Sequence, residues 1–325
     1  MSLDLEILRA LRASPDGAVS GADLSERLNV SRAAVWARIR ELRELGYEIT
    51  ASPHLGYRLV GAPDLLHADD LLARLGEARI IGRDIRVFKE TTSSNDVVEK
   101  LARDGAKEGA VVFAESQTRG RGRLGRQWVS PSQKGLWFSL LLRPKLRPQQ
   151  ATWITIASAV ALRRAIHEFC GLSSEIKWPN DLLVGGRKLA GILTELRAEL
   201  DQVQYIVLGI GVDVNLSHSE FPAALRSKAT SIRAELGRPV SRAGLAVAIL
   251  RELDRDYQRI CEDNLRGLAD EWVEHCATIG KDVTVHSGER TITGRAESLN
   301  RDGALLVRTD HGRIEQVTGG EVLDN

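Results

Sequence analysis

Gln117-Thr118-Arg119-Gly120-Arg121-Gly122-Arg123-Leu124-Gly125-Arg126-Gln127-Trp128 decides between two architectures. Gly120, Gly122 and Gly125 match G-x-G-x-x-G, and the apolar run 110–115 before them reads as a strand. A dinucleotide-binding fold needs two further features: a helix opening after the last glycine, and an acid about twenty residues on for a ribose hydroxyl. Arg126-Gln127-Trp128-Val129-Ser130-Pro131 is no helix start, and no acid follows within 40 residues. Nor does Gly-Lys-Ser/Thr follow, as a nucleotide P-loop requires. What remains is a glycine loop threaded with Arg121, Arg123 and Arg126. Its backbone N–H groups can approach an anion, and its guanidinium forks can clamp phosphate or carboxylate oxygens. A solvated arginine–glycine loop is the alternative. Glycine and like-charge repulsion give such a loop no fixed shape when empty, so it is expected to order around a ligand carrying several negative charges.

The loop opens a block of unusual charge. The 325 residues carry 45 Lys+Arg against 44 Asp+Glu, which excludes a generic polyanion binder and an acidic tail. Yet residues 116–167 hold ten cations and no acid, where this composition predicts about seven acids. The loop arginines answer to a small anion; the later cations, Arg143 to Arg164, read as surface. With 43% apolar content the chain is expected to fold throughout, in two or three domains. Cys170, Cys261 and Cys276 form neither a disulfide framework nor a zinc knuckle, and no signal peptide or membrane span is read. A cytoplasmic protein is the expectation.

Residues 4–60 read as three helices and a hairpin. Leu5, Leu8 and Leu11 repeat at helical spacing, a second helix follows Ser20, and a third is capped by Ser31 and ends at Gly46. Runs 47–50 and 56–60 alternate like strands around a Ser-Pro-His-Leu-Gly turn. That pattern is a winged helix-turn-helix, with Ser31, Arg32, Arg38 and Arg40 available for DNA. Eight cations and eight acids in residues 1–62 imply weak binding by one copy, and a helical cap without DNA function is the alternative.

Beyond a Gly61-Ala62-Pro63 linker, strands are read at 110–115, 136–142, 175–178, 189–196 and 205–214. Helices are read at 69–75, 95–103, 151–169, 242–261 and 265–275. Consecutive strands with short turns favour a mixed α+β sheet over a doubly wound one. From Gly280 four short strands punctuated by Gly288, Gly303 and Gly312 read as a small barrel. The expected domains are 1–62, 63–276 and 277–325.

A second motif joins Lys177-Trp178-Pro179-Asn180-Asp181 to Gly185-Gly186-Arg187-Lys188-Leu189-Ala190-Gly191. It reads as a hairpin placing Lys177, Asp181 and Lys188 at one sheet end. A lysine beside an aspartate near a phosphate site suits charge neutralisation and metal binding, although Asn-Asp at a hairpin tip is also an ordinary turn.

With both motifs in hand, the chain resembles the biotin protein ligases, specifically the bifunctional type that is also a biotin-operon repressor. Thr92-Ser93-Ser94-Asn95 is similar to that family's Ser-Thr-Asn segment, and Gly209-Ile210-Gly211-Val212-Asp213-Val214-Asn215 to its Gly-x-Gly-x-Asn strand. The resemblance runs in order over nearly the whole chain, including the winged helix and a C-terminal SH3-like barrel. It implies that biotin and ATP form biotinyl-5′-AMP, and that a lysine on a carboxylase's biotin carboxyl carrier domain then takes the biotinyl group. It further implies Mg²⁺, operator DNA and an adenylate-bound homodimer. Biotin would be held by Ser93, Ser94, Asn95, Gln117, Arg121, Gly122, Arg123, Trp128 and Lys188, with Lys188 and Arg123 catalytic. Arg121, Arg123, Asn180, Asp213 and Asn215 would hold the nucleotide, and Asp181 the metal. Phe221, in a segment 218–229 expected to cover the adenine, is one candidate for stacking. Three departures stand out: Ser94 for the usual Thr, Asp213 for the usual Asn, and Leu124 for a frequent cation. A DNA-binding acyl-adenylate sensor without turnover, and a ligase for lipoate, are the competing functions.

Overall fold

The computed structural model describes residues 2–14, 17–52 and 55–323. The N-terminal unit contains α1 (Leu3–Ala13), β1 (Ala18–Val19), α2 (Gly21–Leu28), α3 (Arg32–Glu44), β2 (Glu48–Ser52) and β3 (Gly56–Gly61). Serine oxygens cap its helices: those of Ser2, Ser20 and Ser31 accept from the backbone N–H groups of Leu5, Ala22 and Ala34. Asn29, in the left-handed region, stops α2 and turns the chain into α3. Ile7, Leu8, Leu24, Val35, Ile39 and Leu42 form its core. The hairpin turn expected between the strands includes residues 53 and 54, which lie outside the described residues.

This unit is tied to the next by α4 (Ala68–Leu75). The buried Asp70 carboxylate takes Arg12 of α1 on one oxygen at 2.5 Å and Arg74 on the other at 2.7 Å. The linker before α4 is gripped from the other side. Arg242, fully buried, donates to Glu115 at 2.6 Å and to the Asp64 carbonyl at 2.7 Å, while Glu115 also accepts from the Leu66 N–H. A buried guanidinium is tolerated only when its charge and donors are satisfied this fully.

The central unit continues with β4 (Asp84–Phe88), α5 (Ser94–Arg103), β5 (Ala110–Ala114), β6 (Gly135–Leu142), α6 (Thr152–Cys170), β7 (Glu175–Lys177), β8 (Asp181–Val184), β9 (Arg187–Glu199) and β10 (Gln202–Asp213). Then come α7 (Ile232–Leu236), α8 (Arg242–Cys261) and α9 (Arg266–Glu274). Its seven strands run β4-β5-β6-β10-β9-β8-β7, antiparallel except for the parallel β4–β5 pair, so the sheet is mixed as expected. Strand alternation sorts the faces. Val111, Phe113, Leu136, Phe138, Ile206 and Leu208 pack with α6 and α8; Val112, Leu141, Tyr205 and Val207 pack under α5. The C-terminal unit is a five-stranded antiparallel sheet: β11 (Asp282–Ser287), β12 (Arg290–Leu299), β13 (Leu305–Arg308), β14 (Ile314–Val317) and β15 (Glu321–Leu323), ordered β14-β13-β12-β11-β15.

Two sequence readings need correction. The Asn-Asp segment belongs to two successive hairpins, because 181–184 is a strand of its own, paired with β7 and with β9. The late cations of the acid-free block are not merely surface. Arg164 is surrounded by Glu252 and Glu271, both at 2.5 Å, and Asp256 at 3.2 Å, from α8 and α9. Arg143 donates to the carbonyls of Ala102 and Ala106 at the end of α5 and lies against the Tyr205 ring. The acids missing from the block are supplied by other elements. Among the described residues, no helix is long and apolar enough to cross a membrane.

Candidate active site

On the α5 face of the sheet, β10 presents Gly209, Gly211 and Asp213 at alternate positions. Glycines therefore form the floor of a cavity of about 390 Å³. The close approach requires glycine. A Cβ on Gly209 would meet the Asn95 amide oxygen at 2.3 Å, and one on Gly211 the Trp128 indole at 2.5 Å. Gly191 of β9, opposite Gly211, is less tightly enclosed: a Cβ there would meet Trp128 at 2.9 Å and Lys188 at 3.1 Å.

Two of the sequence motifs are laid side by side by the parallel β4–β5 pair, which continues into a bridge between Thr91 and Gln117. This builds a neutral inner end. The Gln117 side-chain oxygen accepts from the Ser94 N–H at 2.8 Å and the Ser94 hydroxyl at 3.1 Å, while its amide donates to Ser130. Asn95 donates to Glu195 at 2.6 Å. Ser93 takes the N-cap position of α5, yet its buried hydroxyl makes no cap hydrogen bond and lines the cavity. This serine therefore does not cap the helix with its side chain. Ser139 of β6 escaped the sequence reading. Its fully buried hydroxyl is 2.7 Å from the Ser94 oxygen and 2.5 Å from the Asn95 amide oxygen. The one hydroxyl in the apolar run Gly135–Leu142 was the available signal.

The outer end is cationic. The glycine–arginine loop has a defined path. Arg121 bridges to Gln127, Trp128 N–H bonds to Gly120 O, and a short 3₁₀ turn spans Arg123–Gly125. Acids from other elements relieve the like-charge repulsion. Arg121 meets Asp96 at 2.5 Å and Glu195 at 3.4 Å, and Arg126 meets Glu321 of the C-terminal sheet at 2.5 Å. Leu124, where a cation is frequent, takes a left-handed conformation and is 75% exposed.

Arg123 differs from its neighbours. Its guanidinium donates to the Asn180 side-chain oxygen at 3.3 Å and the Gly320 carbonyl at 3.1 Å, both neutral, and it has no salt bridge among the described residues. Burial pulls its pKa below the ordinary value, while the nearby charges of Asp181 and Glu321 pull it up. The Lys188 ammonium lies 2.7 Å from Asp181 and over the Trp128 ring. Burial holds the Asp213 carboxyl well above the usual carboxylate range, opposed by the Lys188 charge.

The structure thus brings together on one cavity Ser93, Ser94, Asn95, Gln117, Arg121, Gly122, Arg123, Trp128, Asn180, Asp181, Lys188 and Asp213. Phe221, Leu225 and Lys228 wall it from the 218–229 segment. One expected ligand contact is outside it. Asn215 is buried behind the strand end, its amide bonded to Val240 in both directions and to Asp64, so no group is left for a nucleotide. In the N-terminal unit, Arg32 and Arg40 are exposed, while the Ser31 oxygen accepts a helix N–H. Arg38 is corrected: it forks onto Asp4 at 2.8 Å twice and bonds Glu41, an internal tie rather than a cation available to DNA.

Residues 87–213 match the model of the Biotin/lipoate A/B protein ligase family, 4–58 that of an HTH domain, and 278–323 that of the Biotin protein ligase C terminal domain. The Bifunctional ligase/repressor BirA of Bacillus subtilis (strain 168) is 35% identical over 304 residues, covering 94% of this chain and 93% of its own length. The protein of that name from Escherichia coli (strain K12) is 31% identical over 304 residues, 93% of this chain and 92% of its own. Among solved structures, the biotin protein ligase from Aquifex aeolicus in complex with biotin and ATP is similar with a TM-score of 0.64. The two are 27% identical, and the match covers 74% of this chain and 98% of that one. The chain belongs to the biotin protein ligase family, in its bifunctional ligase/repressor form.

Proposed function

We propose that the cavity joins biotin to ATP and then passes the biotinyl group to a protein lysine, while the N-terminal unit carries the loaded protein to operator DNA. The observation that carries this is the cavity's two-ended chemistry: neutral hydrogen-bonding groups within, and outside them an arginine whose partners are all neutral. Ser93, Ser94, Asn95 and Gln117 suit an uncharged ureido ring, and Trp128 over Gly211 is the apolar wall for the ring and chain that follow. This leaves the biotin carboxylate among Arg121, Arg123 and Lys188. A carboxylate oxygen attacks the α-phosphorus of ATP and pyrophosphate leaves. The acceptor lysine's amine then attacks the acyl carbon, and AMP leaves with the carboxylate's oxygen. The protein forms no covalent bond; it positions both reactants and stabilises charge on the phosphate oxygens. Lys188 and Arg123 act on the reacting oxygens, and Arg121, Asn180 and Asp213 border the nucleotide.

Mg²⁺ fits this site as an ion brought by the triphosphate. Among the described residues no group of three His, Cys, Asp or Glu side chains is placed to hold a metal. Asp181, on the cavity wall beside Lys188, would be the protein's contribution. Such sparse protein ligation is usual for Mg²⁺ bound to phosphates, whose charge it neutralises when present.

The acceptor is read as the biotin carboxyl carrier domain of a carboxylase, and the compartment as the cytoplasm. Units 1–62, 63–276 and 277–325 divide the work. Ser31, Arg32 and Arg40 are the DNA side. A homodimer of the adenylate-bound protein would supply two half-site readers. Its support is the open edge of β9: β8 pairs with β9 no further than Gly191, so residues 193–199 have no strand neighbour on that side among the described residues.

Incubation with ATP, Mg²⁺, labelled biotin or labelled lipoate, and a carrier domain tests the reading. Biotin transfer is expected and lipoate transfer is not. Tight adenylate binding without transfer would point to a sensor instead.

A further inference from the structure

Helix α3 keeps Val35, Ile39 and Leu42 in the core and turns a different stripe outward. Arg32, Trp36 and Arg40 stand four residues apart along it, so they form one line about 12 Å long. Trp36 is 52% exposed in the middle of that line, and the Arg40 guanidinium lies 5.2 Å from its ring centre. Small neighbours, Ala33 and Ala37, leave the ring standing clear of the helix. The charges around it are sorted. Arg38 is committed to Asp4 and Glu41, Arg32 has no acid partner among the described residues, and Arg40 meets Glu44 at a long 3.8 Å with both side chains exposed, a weak tie. The stripe therefore presents cation, flat apolar ring, cation.

A single exposed aromatic on a surface helix is ordinary. Here it sits on the helix that the turn at Asn29 presents, at the centre of its outward face, in a unit that the chain's family membership assigns to DNA. The major groove of B-DNA is about as wide as this stripe is long. The feature there that suits an uncharged flat ring is the 5-methyl group of thymine; arginine forks suit guanine edges or phosphates.

We propose that Trp36 is the sequence-reading residue of the N-terminal unit, packing against a thymine methyl group in the major groove, with Arg40, stacked on it, aimed at the neighbouring base pair and Arg32 on the backbone. This rests on the reading of residues 1–62 as a DNA-binding unit.

The full-length protein, with biotin, ATP and Mg²⁺, is used to select from a pool of duplexes with randomised half-sites. Each thymine of the enriched half-site is then replaced by deoxyuridine, which removes only the methyl group. At one thymine per half-site the wild type is expected to lose about fourfold in affinity, the worth of one buried methyl group, and Trp36→Ala nothing. Phosphate contacts do not involve the ring, so the salt dependence of Trp36→Ala should match the wild type. Trp36→Phe, which keeps an apolar ring, should retain a smaller loss at that same thymine. Equal losses in wild type and Trp36→Ala at every thymine overturn the assignment. If no duplex is enriched by the wild type, the DNA-reading function fails and this assignment with it.

Discussion

Lys188 and Asp181 form an ion pair at 2.7 Å on the wall of the cavity, with the lysine also over the Trp128 ring. The register of β8 against β9 sets this pair, since Leu183 opposes Lys188 and Asp181 opposes Gly191. The pair fixes where the Lys188 ammonium stands on the cavity wall. Removing one such preorganised charge should slow adenylate formation by about 100-fold or more, with little effect on folding at a partly exposed position. Pyrophosphate release by Lys188→Ala measures this, and an unchanged rate would remove the lysine from the chemistry.

Asp213 gives a pH signature. Its pKa is raised in the folded protein above the unfolded value of about 3.9, so the folded state holds a proton that the unfolded state has released. Stability is therefore lost as pH rises from that unfolded value through the folded one. Asp213→Asn removes this loss. Its thermal midpoint in the absence of ligand should exceed the wild type's by more at pH 8 than at about pH 4, near the unfolded value. A pH-independent difference would contradict the burial of an ionisable group there.

Ser139 touches two groups of the inner end and lies behind them. Ser139→Ala deprives Ser94 and Asn95 of a partner in a buried setting, a change worth about 1–3 kcal/mol. The expected result is a raised KM for biotin with a smaller change in kcat, read from steady-state transfer assays. A fall in kcat alone would place its effect elsewhere.

Arg38 and Arg32 separate internal from external cations on one helix. Arg32→Ala should lower the slope of log affinity for DNA against log salt by about one unit, while Arg38→Ala should leave the slope unchanged. Because Arg38 forks onto Asp4 of α1, its loss should appear in the melting midpoint instead. A reduced slope for Arg38→Ala would return it to the DNA surface.

Local pattern carried most of the architecture. Caps at Ser20 and Ser31, the long apolar stripes of α6 and α8, and four of the five strands of the C-terminal sheet have signals within a few residues, whereas the three-residue β15 was not read. Asp84–Phe88 escaped because a short strand with Asp84 and Arg86 offers little apolar periodicity, and its partner β5 is 26 positions away. The roles that local pattern missed are those set by distant partners. Arg38 looks available until Asp4, 34 residues earlier, meets it. Asn215 looks like a ligand until Val240 and Asp64 occupy it. Ser139 becomes a site-supporting residue only when β6 passes beneath α5. The two signature loops were legible because their glycines, arginines and lysines stand together in sequence.

On the proposed function, the cationic end of this cavity, with Arg123 at its heart, activates biotin by adenylation. Biotin-dependent exchange of labelled pyrophosphate into ATP tests it most directly. The wild-type protein should exchange only when biotin is present, and Arg123→Ala should exchange at least about 100-fold more slowly. Undiminished exchange by Arg123→Ala, or exchange driven by lipoate and not by biotin, would contradict the account.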